Sequence, residues 1–404
     1  MKKNMDYMQA RDLLLELVRP VDTLALPLEE CTGRVLAQTL TAVENIPLFD
    51  RSPYDGYALR AADTENASVE QPVCLQIVEE IPAGAVPNKP LATGQAAKIL
   101  TGAPIPEGAD AVVMFEVTQY DEKTVRLFSP VQSGTNIVRA GEDVRKGQLL
   151  AEGGTVIDAG LAGTLASQGI SAPQVFRKPC IGLICTGNEV VDVDSPLETG
   201  KIYNSNRYIL SAALKRLGCE TEYLGLAGDC ARDIAACIDR ALERCDAVLL
   251  TGGVSAGDYD LTPEAMERSC VEILVRGVDM KPGMACAYGV KDGKLVCGLS
   301  GNPAAAATNF YAVVLPALNR LCGKKDVLPK ELTVTLAESY PKKSHTTRFL
   351  RGSLELSDGM VKLRLPQSQG NVVVSSMIGS NVIAVVPAGS GPLPAGTRLK
   401  GFMI

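Results

Sequence analysis

Histidine occurs once in these 404 residues, tryptophan not at all, and aromatic side chains make up only 4%. The single His345 excludes histidine-rich zinc sites and any mechanism that needs two imidazoles, so a catalytic base is expected to be a carboxylate. His345 itself lies in the polar run 342–347, where an exposed loop residue is the ordinary expectation. Long apolar runs are missing too. None approaches the ~18 residues needed to span a bilayer, and Asp6, Arg11, Asp12 and Glu16 break the first apolar segment and spoil a signal-peptide core. No membrane association is expected, and a cytoplasmic location is. Lys and Arg form no block, and 40 basic against 46 acidic residues leave a net charge of -6, which disfavours nucleic acid and favours a small-molecule substrate. No C-x-x-C pair occurs among the twelve cysteines scattered from Cys31 to Cys322, so reduced, mostly buried thiols are expected.

What is present is a globular composition, 46% hydrophobic and 21% charged. The length exceeds one ordinary core and predicts three or four domains of ~100–150 residues. Residues 7–18 place Leu13, Leu14, Leu17 and Val18 on one helical face ending at Pro20, and residues 28–40 read as a short helix. From about 43 to 142, runs such as 73–81 and 124–128 alternate with Pro and Gly turns, the texture of a small β-rich domain. Residues 154–169 bring Ile157, Leu161, Leu165 and Ala166 into helical register before strand-like Val175 and Phe176. This segment is expected to pack beside the N-terminal helices, making the β-rich domain an insertion.

From Pro179 onward the pattern alternates: strands at 180–185, 247–250, 272–278 and 294–299, and helices at 205–217 (stopped by Gly218), at 229–245 and after Asn302-Pro303. Such alternation predicts a parallel-rich sheet with covering helices, a three-layer α/β domain. Short strands at 332–336, 348–356, 361–365 and 382–386, with the turn Ser357-Asp358-Gly359, predict a final compact β domain. The expected divisions are 1–43 with 143–178, a discontinuous N-terminal linker domain; 44–142, the β-rich insertion; 179–325, the α/β domain; and 326–404, the last β domain.

In an open parallel sheet, ligands bind beyond the carboxyl ends of the strands. Five polar, glycine-bearing motifs fall on that rim: Thr186-Gly187-Asn188-Glu189; Gly228-Asp229; the run 251–260 with Gly252, Gly253, Ser255, Gly257 and Asp260; Lys281-Pro282-Gly283; and Ser300-Gly301-Asn302-Pro303. Glycines let backbone amides approach an oxyanion, helix N-termini favour negative charge, and Lys281 adds a full positive charge. Glu189, Asp229 and Asp260 would repel that anion unless a divalent cation lay between, and magnesium bridging carboxylates and phosphate oxygens resolves the conflict. Singly each motif is weak, since Gly-Gly is as often a plain turn and loop carboxylates are usually just solvated. The loop carries no G-K-[ST], so it is not a Walker A loop, and no dinucleotide fingerprint is present. A second cluster, 49–57 with Asp55 and 101–110 with Thr101, reads on its own as two tight turns.

In order along the chain, S-x-x-D-G-Y, T-G-A-x-x-P-x-G-A-D, G-E-D, T-G-x-E, S-N, G-G-V-S-x-G-D-x-D, K-P-G and G-N-P resemble the molybdopterin molybdenumtransferase family, which includes the E domain of gephyrin. The resemblance implies an elongated homodimer with a discontinuous first domain, a β insertion, a molybdopterin-binding α/β domain and a C-terminal β-barrel. It implies hydrolysis of adenylylated molybdopterin as molybdate, or tungstate, is inserted, with Mg2+ assisting and AMP released. By motif, Asp55, Glu189, Asp229, Asp260 and Lys281 take catalytic roles, with Asp260 and Glu189 toward the metal. Thr101, Thr186, Gly252, Gly253, Ser255, Gly257, Pro282, Gly283, Gly301, Asn302 and Pro303 take substrate-binding roles. Arg351, Ser375 and Ser376 resemble groups near the molybdate, and Asp55 and Thr101 resemble residues reaching the cleft from the partner subunit. Transient contact with molybdopterin adenylyltransferase and with apo-molybdoenzymes is also implied.

The chain departs from the family pattern. Met284 stands where a second lysine is usual, Ala305 where a hydroxyl is usual, Asn188 in place of an aspartate, Pro53 and Tyr54 in place of a small residue and methionine, and Val138 in place of an arginine. Losing one cationic donor to a dianion costs about 1.5–3 kcal/mol, or about ten- to a hundredfold in affinity. Two alternatives remain open at this point: a molybdopterin adenylyltransferase, distinguished by ATP turnover, and a non-catalytic dimeric molybdopterin-binding scaffold.

Overall fold

A computed structural model of the chain describes residues 2–255, 261–357 and 359–404. They divide into two compact units. One holds the described residues up to Gln38, Gly153–Asp158 and those from Ala172 onward; the other holds Thr39–Glu152 and Ala159–Ser171.

The first unit is built on a seven-stranded sheet: Lys2–Asp6 (β1), Cys180–Thr186 (β2), Glu220–Ala227 (β3), Ala247–Thr251 (β4), Glu272–Asp279 (β5), Cys286–Lys291 (β6) and Lys294–Leu299 (β7), in the order β1-β5-β6-β7-β4-β2-β3. Strand β6 runs against both neighbours, and the other pairings are parallel. Strands β2 and β4 are near-continuous apolar runs because both faces are covered. Successive residues alternate between the faces. Leu183 and Leu249 join Leu14, Leu210 and Phe310 in one core, while Ile184 and Leu250 join Ile234, Ile238 and Met266 in the other. The covering helices are Tyr7–Leu17 (α1), Ser205–Leu217 (α3), Ala231–Arg244 (α4), Thr262–Arg268 (α5) and a long C-terminal helix formed by Pro303–Asn309 (α6), a π turn at Phe310–Val314 and Leu315–Leu321 (α7); α2, Ala159–Ser167, belongs to the other unit.

Local chemistry sets the ends of these helices. The Asp6 carboxylate accepts from the Met8 and Gln9 amides to start α1. Gly218, at φ +94°, closes α3 with its N–H on the Leu214 and Lys215 carbonyls, as its sequence position predicts. The expected helix over 28–40 is reduced to one 3-10 turn, Leu28–Glu30. Gly33 then takes φ +80°, and the following backbone pairs as extended chain, Leu36 N–H with Thr155 O at 2.9 Å and Val35 bridging Val156. Three strands of this sheet, β1, β3 and β6, are not among those the sequence predicts, since none shows the clean apolar run of β2 and β4.

Glu331–Leu336, Arg348–Ser357, Met360–Arg364, Val382–Val386 and Arg398–Met403 close into a five-stranded barrel filled by Val334, Leu350, Leu363, Val382 and Ala384. Phe349 and Phe402 of the barrel share the core of the sheet domain, and Tyr7 meets Phe349 edge-on at 5.0 Å between ring centroids.

The second unit carries a six-stranded sheet in the order Ala111–Met114, Gly56–Leu59, Gln95–Ile99, Val73–Ile81, Thr124–Leu127, Gln119–Tyr120. Helix α2 belongs to this unit. Polar bonds at long sequence separation tie its end there: the Gln168 side chain accepts from the Val43 and Glu44 amides and donates to Glu44 O. Apolar periodicity carries no trace of such a tie.

Candidate functional site

From β2 the chain passes through α3 to β3 on one side of the sheet, and from β4 it continues toward β5 on the other. The loops that follow β2 and β4 therefore diverge, and a crevice opens where they part. A cavity of about 1040 Å³ lies there. It is lined by Thr186, Glu189, Asp229, Gly252, Gly253, Ser255, Lys281, Pro282, Gly283, Gly301, Asn302 and Pro303. The structure thus brings all five rim motifs together, although Gly257 and Asp260 lie outside the described residues.

At Gly252 the bases of these two loops touch before they part. Its φ is +102°, its N–H bonds Leu299 O at 3.0 Å, and its carbonyl accepts from Thr262 Oγ1 at 2.8 Å. A β-carbon there would sit 2.4 Å from Thr186 Oγ1 and 2.9 Å from Thr186 O, so only glycine lets the two loops touch. Gly283 plays the same part for the lysine turn: its carbonyl accepts from Asn309 Nδ2 at 2.8 Å, and a β-carbon would meet Ala305 O at 3.1 Å. The Lys281 backbone is held from the other side by Thr347 O and Phe349 N–H. Its side chain is left exposed at the cavity.

Charge in the cavity is mixed. Among the described residues none of Lys281, Glu189 and Asp229 is in an ion pair. Asp229 and Asn188 bond reciprocally, the Asn188 amide to Asp229 Oδ2 and the Asp229 amide to Asn188 Oδ1, each at 3.2 Å. Asparagine at 188 therefore meets Asp229 without adding a second negative charge. Two helices begin at the wall. Asn204, the N-cap of α3, accepts from Arg207 N at 3.1 Å, and Asn302 caps α6 ahead of Pro303. The macrodipoles of α3 and α6 favour an anion, although the Ala304 and Ala305 amides of α6 are already bonded to Asn371 O and Asn302 O. Burial pushes the Cys185 thiol up, so this lining thiol is protonated and inert.

Asn206 escaped the residue-level reading; only the Ser-Asn pair pointed to it. It lines the cavity, is 8% exposed, and donates from Nδ2 to Gly301 O at 2.8 Å, while its Oδ1 has no hydrogen-bond partner among the described residues. That acceptor is a buried polar atom beside the cavity wall. Met284 and Ala305, the residues that depart from the family pattern, both line the wall.

Five expected residues are not brought to this cavity. Asp55 and Thr101 belong to the second unit, where the Thr101 amide and hydroxyl donate to Asp55 Oδ1 at 2.7 and 2.8 Å. The amide bond, then the hydroxyl, holds the Asp55 carboxyl below its usual range. Arg351 is 0% exposed within the barrel wall, donating to Ser376 Oγ at 3.1 Å, Thr308 Oγ1 at 3.3 Å and Gly370 O at 3.3 Å. Burial pushes its pKa down to about 10. Ser376 is buried with it, and Ser375 is exposed on the 3-10 turn Val374–Met377. The barrel instead lines the cavity with Asn371, Val372 and Val374. A motif match places a loop, but which of its side chains turns inward depends on backbone geometry that the motif does not encode. Elsewhere, His345 is exposed, all twelve cysteines are free, and Cys74, Cys230 and Cys270 are the exposed ones.

Known families match nearly the whole chain. Residues 5–169 match the MoeA N-terminal region (domain I and II), 182–320 a probable molybdopterin binding domain, and 333–400 the MoeA C-terminal region (domain IV). The chain is 36% identical over 381 residues to a molybdopterin molybdenumtransferase of Bacillus subtilis, covering 93% of this chain and 89% of that protein. It is 36% identical over 377 residues to one of Staphylococcus aureus, covering 93% and 90%. Among solved structures, a molybdopterin biosynthesis MoeA protein from Pyrococcus horikoshii OT3 superposes with a TM-score of 0.84 at 30% identity, covering 99% of this chain and 100% of that one.

Proposed function

The chain belongs to the MoeA family of molybdopterin molybdenumtransferases, and from that premise we propose that its cavity binds adenylylated molybdopterin, inserts molybdate and releases AMP to give molybdenum cofactor. Enzyme class and overall reaction, transfer of molybdenum to molybdopterin, follow from the family. The carrying observation for the finer reading is one cavity that joins two helix N-termini and Lys281 with the carboxylates Glu189 and Asp229.

The helix dipoles and Lys281 suit the phosphate of the adenylate, and Gly252, Gly253 and Gly283 let backbone approach it. Glu189 and Asp229 offer oxygen donors that are in no ion pair among the described residues, a donor set that fits Mg2+. Bound there, Mg2+ would neutralise charge between these carboxylates and the phosphate oxygens. Molybdate enters as substrate and takes its sulfur ligands from the pterin, so the cysteines are not needed for it. Asp55 and Thr101 remain proposed catalytic and substrate-binding residues of the second unit, and a homodimer, a cytoplasmic location and a four-part division at about residues 44, 143, 179 and 326 belong to the same reading. No helix among the described residues is long and apolar enough to cross a membrane.

The test is to incubate the protein with adenylyl-molybdopterin, Mg2+ and molybdate. AMP release dependent on molybdate is the expected result, and a tight nucleotide complex with no turnover would point to a scaffold instead. Lys281→Ala removes one charged donor, about 1.5–3 kcal/mol, so the KM or Kd for the anionic substrate is expected to rise about ten- to a hundredfold. Because the Lys281 backbone bonds survive the truncation, thermal stability should change little. An unchanged KM would remove Lys281 from the site.

A further inference from the structure

At the opposite end of β2 from the cavity lies a cluster that the proposed reaction does not use. Six steps of about 3.3 Å separate Thr186 from Cys180, so the two places are ~20 Å apart along one strand. Cys180 opens β2, Cys245 follows the last turn of α4, and Glu222 lies on β3 opposite Gly182. Cys180 and Gly182 share the face of β2 that α4 covers. Because Gly182 has no β-carbon, the helix end comes close: a β-carbon there would meet Ala241 Cβ at 2.9 Å and Cys245 Sγ at 3.4 Å. The result is Cys180 Sγ 3.4 Å from Cys245 Sγ, Glu222 Oε2 3.8 Å from Cys245 Sγ, and all three ligand atoms within 4.8 Å of one another.

We propose that Cys180, Cys245 and Glu222 form a binding site for a thiophilic divalent cation, with Zn2+ the ion their donor set fits. With Zn–S bonds of about 2.3 Å and a Zn–O bond of about 2.1 Å, the edges of a tetrahedron are roughly 3.8 Å between sulfurs and 3.6 Å from sulfur to oxygen. The observed separations of 3.4 and 3.8 Å lie within tenths of an ångström of those edges, and the Cys180–Glu222 edge, within 4.8 Å, closes by a rotation of the half-exposed Glu222 side chain. Two thiolates and one carboxylate leave a fourth position for water, and half-exposed Cys180 and Glu222 leave a path for entry while Cys245 is 1% exposed. Charge balances as well. Glu222 uses its other oxygen for Arg244 at 2.8 Å, and Asp246 pairs with Arg177 at 2.6 Å while accepting the Cys180 amide. The surrounding charges already cancel, so two thiolates match one divalent ion. Burial pushes the Cys245 thiol up to about 12 and raises Cys180, so both carry protons at neutral pH and must release them to the buffer on binding.

The reduced, chelator-treated protein is titrated with Zn2+ against a chromophoric chelator, in weak buffer that reports proton release, and Co2+ is then substituted. About one equivalent of Zn2+ per chain with release of about two protons, and a Co2+ spectrum with a thiolate charge-transfer band and tetrahedral d–d bands, are expected. Cys180→Ser with Cys245→Ser abolishes this binding, and Glu222→Gln weakens it at least about tenfold. Cys219→Ser, at a second close thiol pair 3.6 Å from Cys322, leaves it intact. If the double variant does not fold, the Co2+ spectrum of the native chain and the Glu222→Gln titration decide. Zinc uptake unchanged in the double variant, no uptake at micromolar Zn2+ by the native chain, or an octahedral Co2+ spectrum without a thiolate band overturns the site.

Discussion

Gly252→Ala is expected to lower kcat/KM for molybdenum insertion by roughly a hundredfold or more, because displacing a catalytic loop by about an ångström is enough for such a loss. The methyl group would enter a space 2.4 Å from Thr186 Oγ1 and 2.9 Å from Thr186 O, at a φ of +102° that L-residues rarely adopt. Neither neighbour can yield freely. Thr186 ends β2 and its hydroxyl bonds Thr251 O at 3.2 Å, while the Gly252 backbone is fixed by Leu299 and Thr262. Strain plus clash should cost about 1–3 kcal/mol of stability, read as a lower urea midpoint. Gly218→Ala supplies the comparison. Its φ is +94°, yet nothing lies within 4 Å of the added carbon. It should cost only about 1 kcal/mol and leave kcat/KM unchanged. Full activity in Gly252→Ala would show that the contact between the β2 and β4 loops does not shape the site.

Arg351→Ala and Arg351→Met should part sharply. Alanine leaves a void in a fully buried wall and is expected to destabilise by about 3–5 kcal/mol; methionine, near in volume and uncharged, by less than about 1.5 kcal/mol. The reason lies in the hydrogen-bond ledger. Among the described residues the guanidinium has no carboxylate partner, only Ser376 Oγ, Thr308 Oγ1 and Gly370 O. Ser376 also donates to Val373 O and Thr308 to Ala304 O, both at 2.6 Å, so both hydroxyls stay bonded when the cation leaves. Through Thr308 the side chain ties the barrel to α6, a structural role. Arg351→Met is therefore expected to keep kcat/KM within about threefold. A loss of molybdate binding in a stably folded Arg351→Met protein would restore the substrate role that its motif implies.

The two cases show what kind of signal a sequence carries. The strands β2 and β4, the helices α1, α3 and α4 and the Asn302-Pro303 start of α6 were visible because apolar periodicity and capping chemistry act within a few residues. The rim motifs were visible as well, since loops at strand ends must carry glycine and polar groups if a ligand is to approach. By contrast, β1 reads Lys-Lys-Asn-Met-Asp and finds its place only by pairing with β5, some 270 residues away. For α2 the periodicity reports one apolar stripe and not what covers it; the Gln168 bonds to Val43 and Glu44 fix its end.

Sequence by itself determined the family resemblance, the α/β domain, the final compact β domain that the resemblance makes a barrel, and the loops on which the chemistry rests, because residue type and spacing act locally and survive in order along the chain. Tertiary structure alone decided that Glu189, Asp229, Lys281 and Asn302 share one cavity, that Asn206 ties its wall to Gly301, that Arg351 is sealed in the barrel wall, and that Cys180, Glu222 and Cys245 meet at the far end of β2. Each of those is a contact between segments distant in sequence, and its direction is set by packing of the helices and strands between them, which no local pattern records.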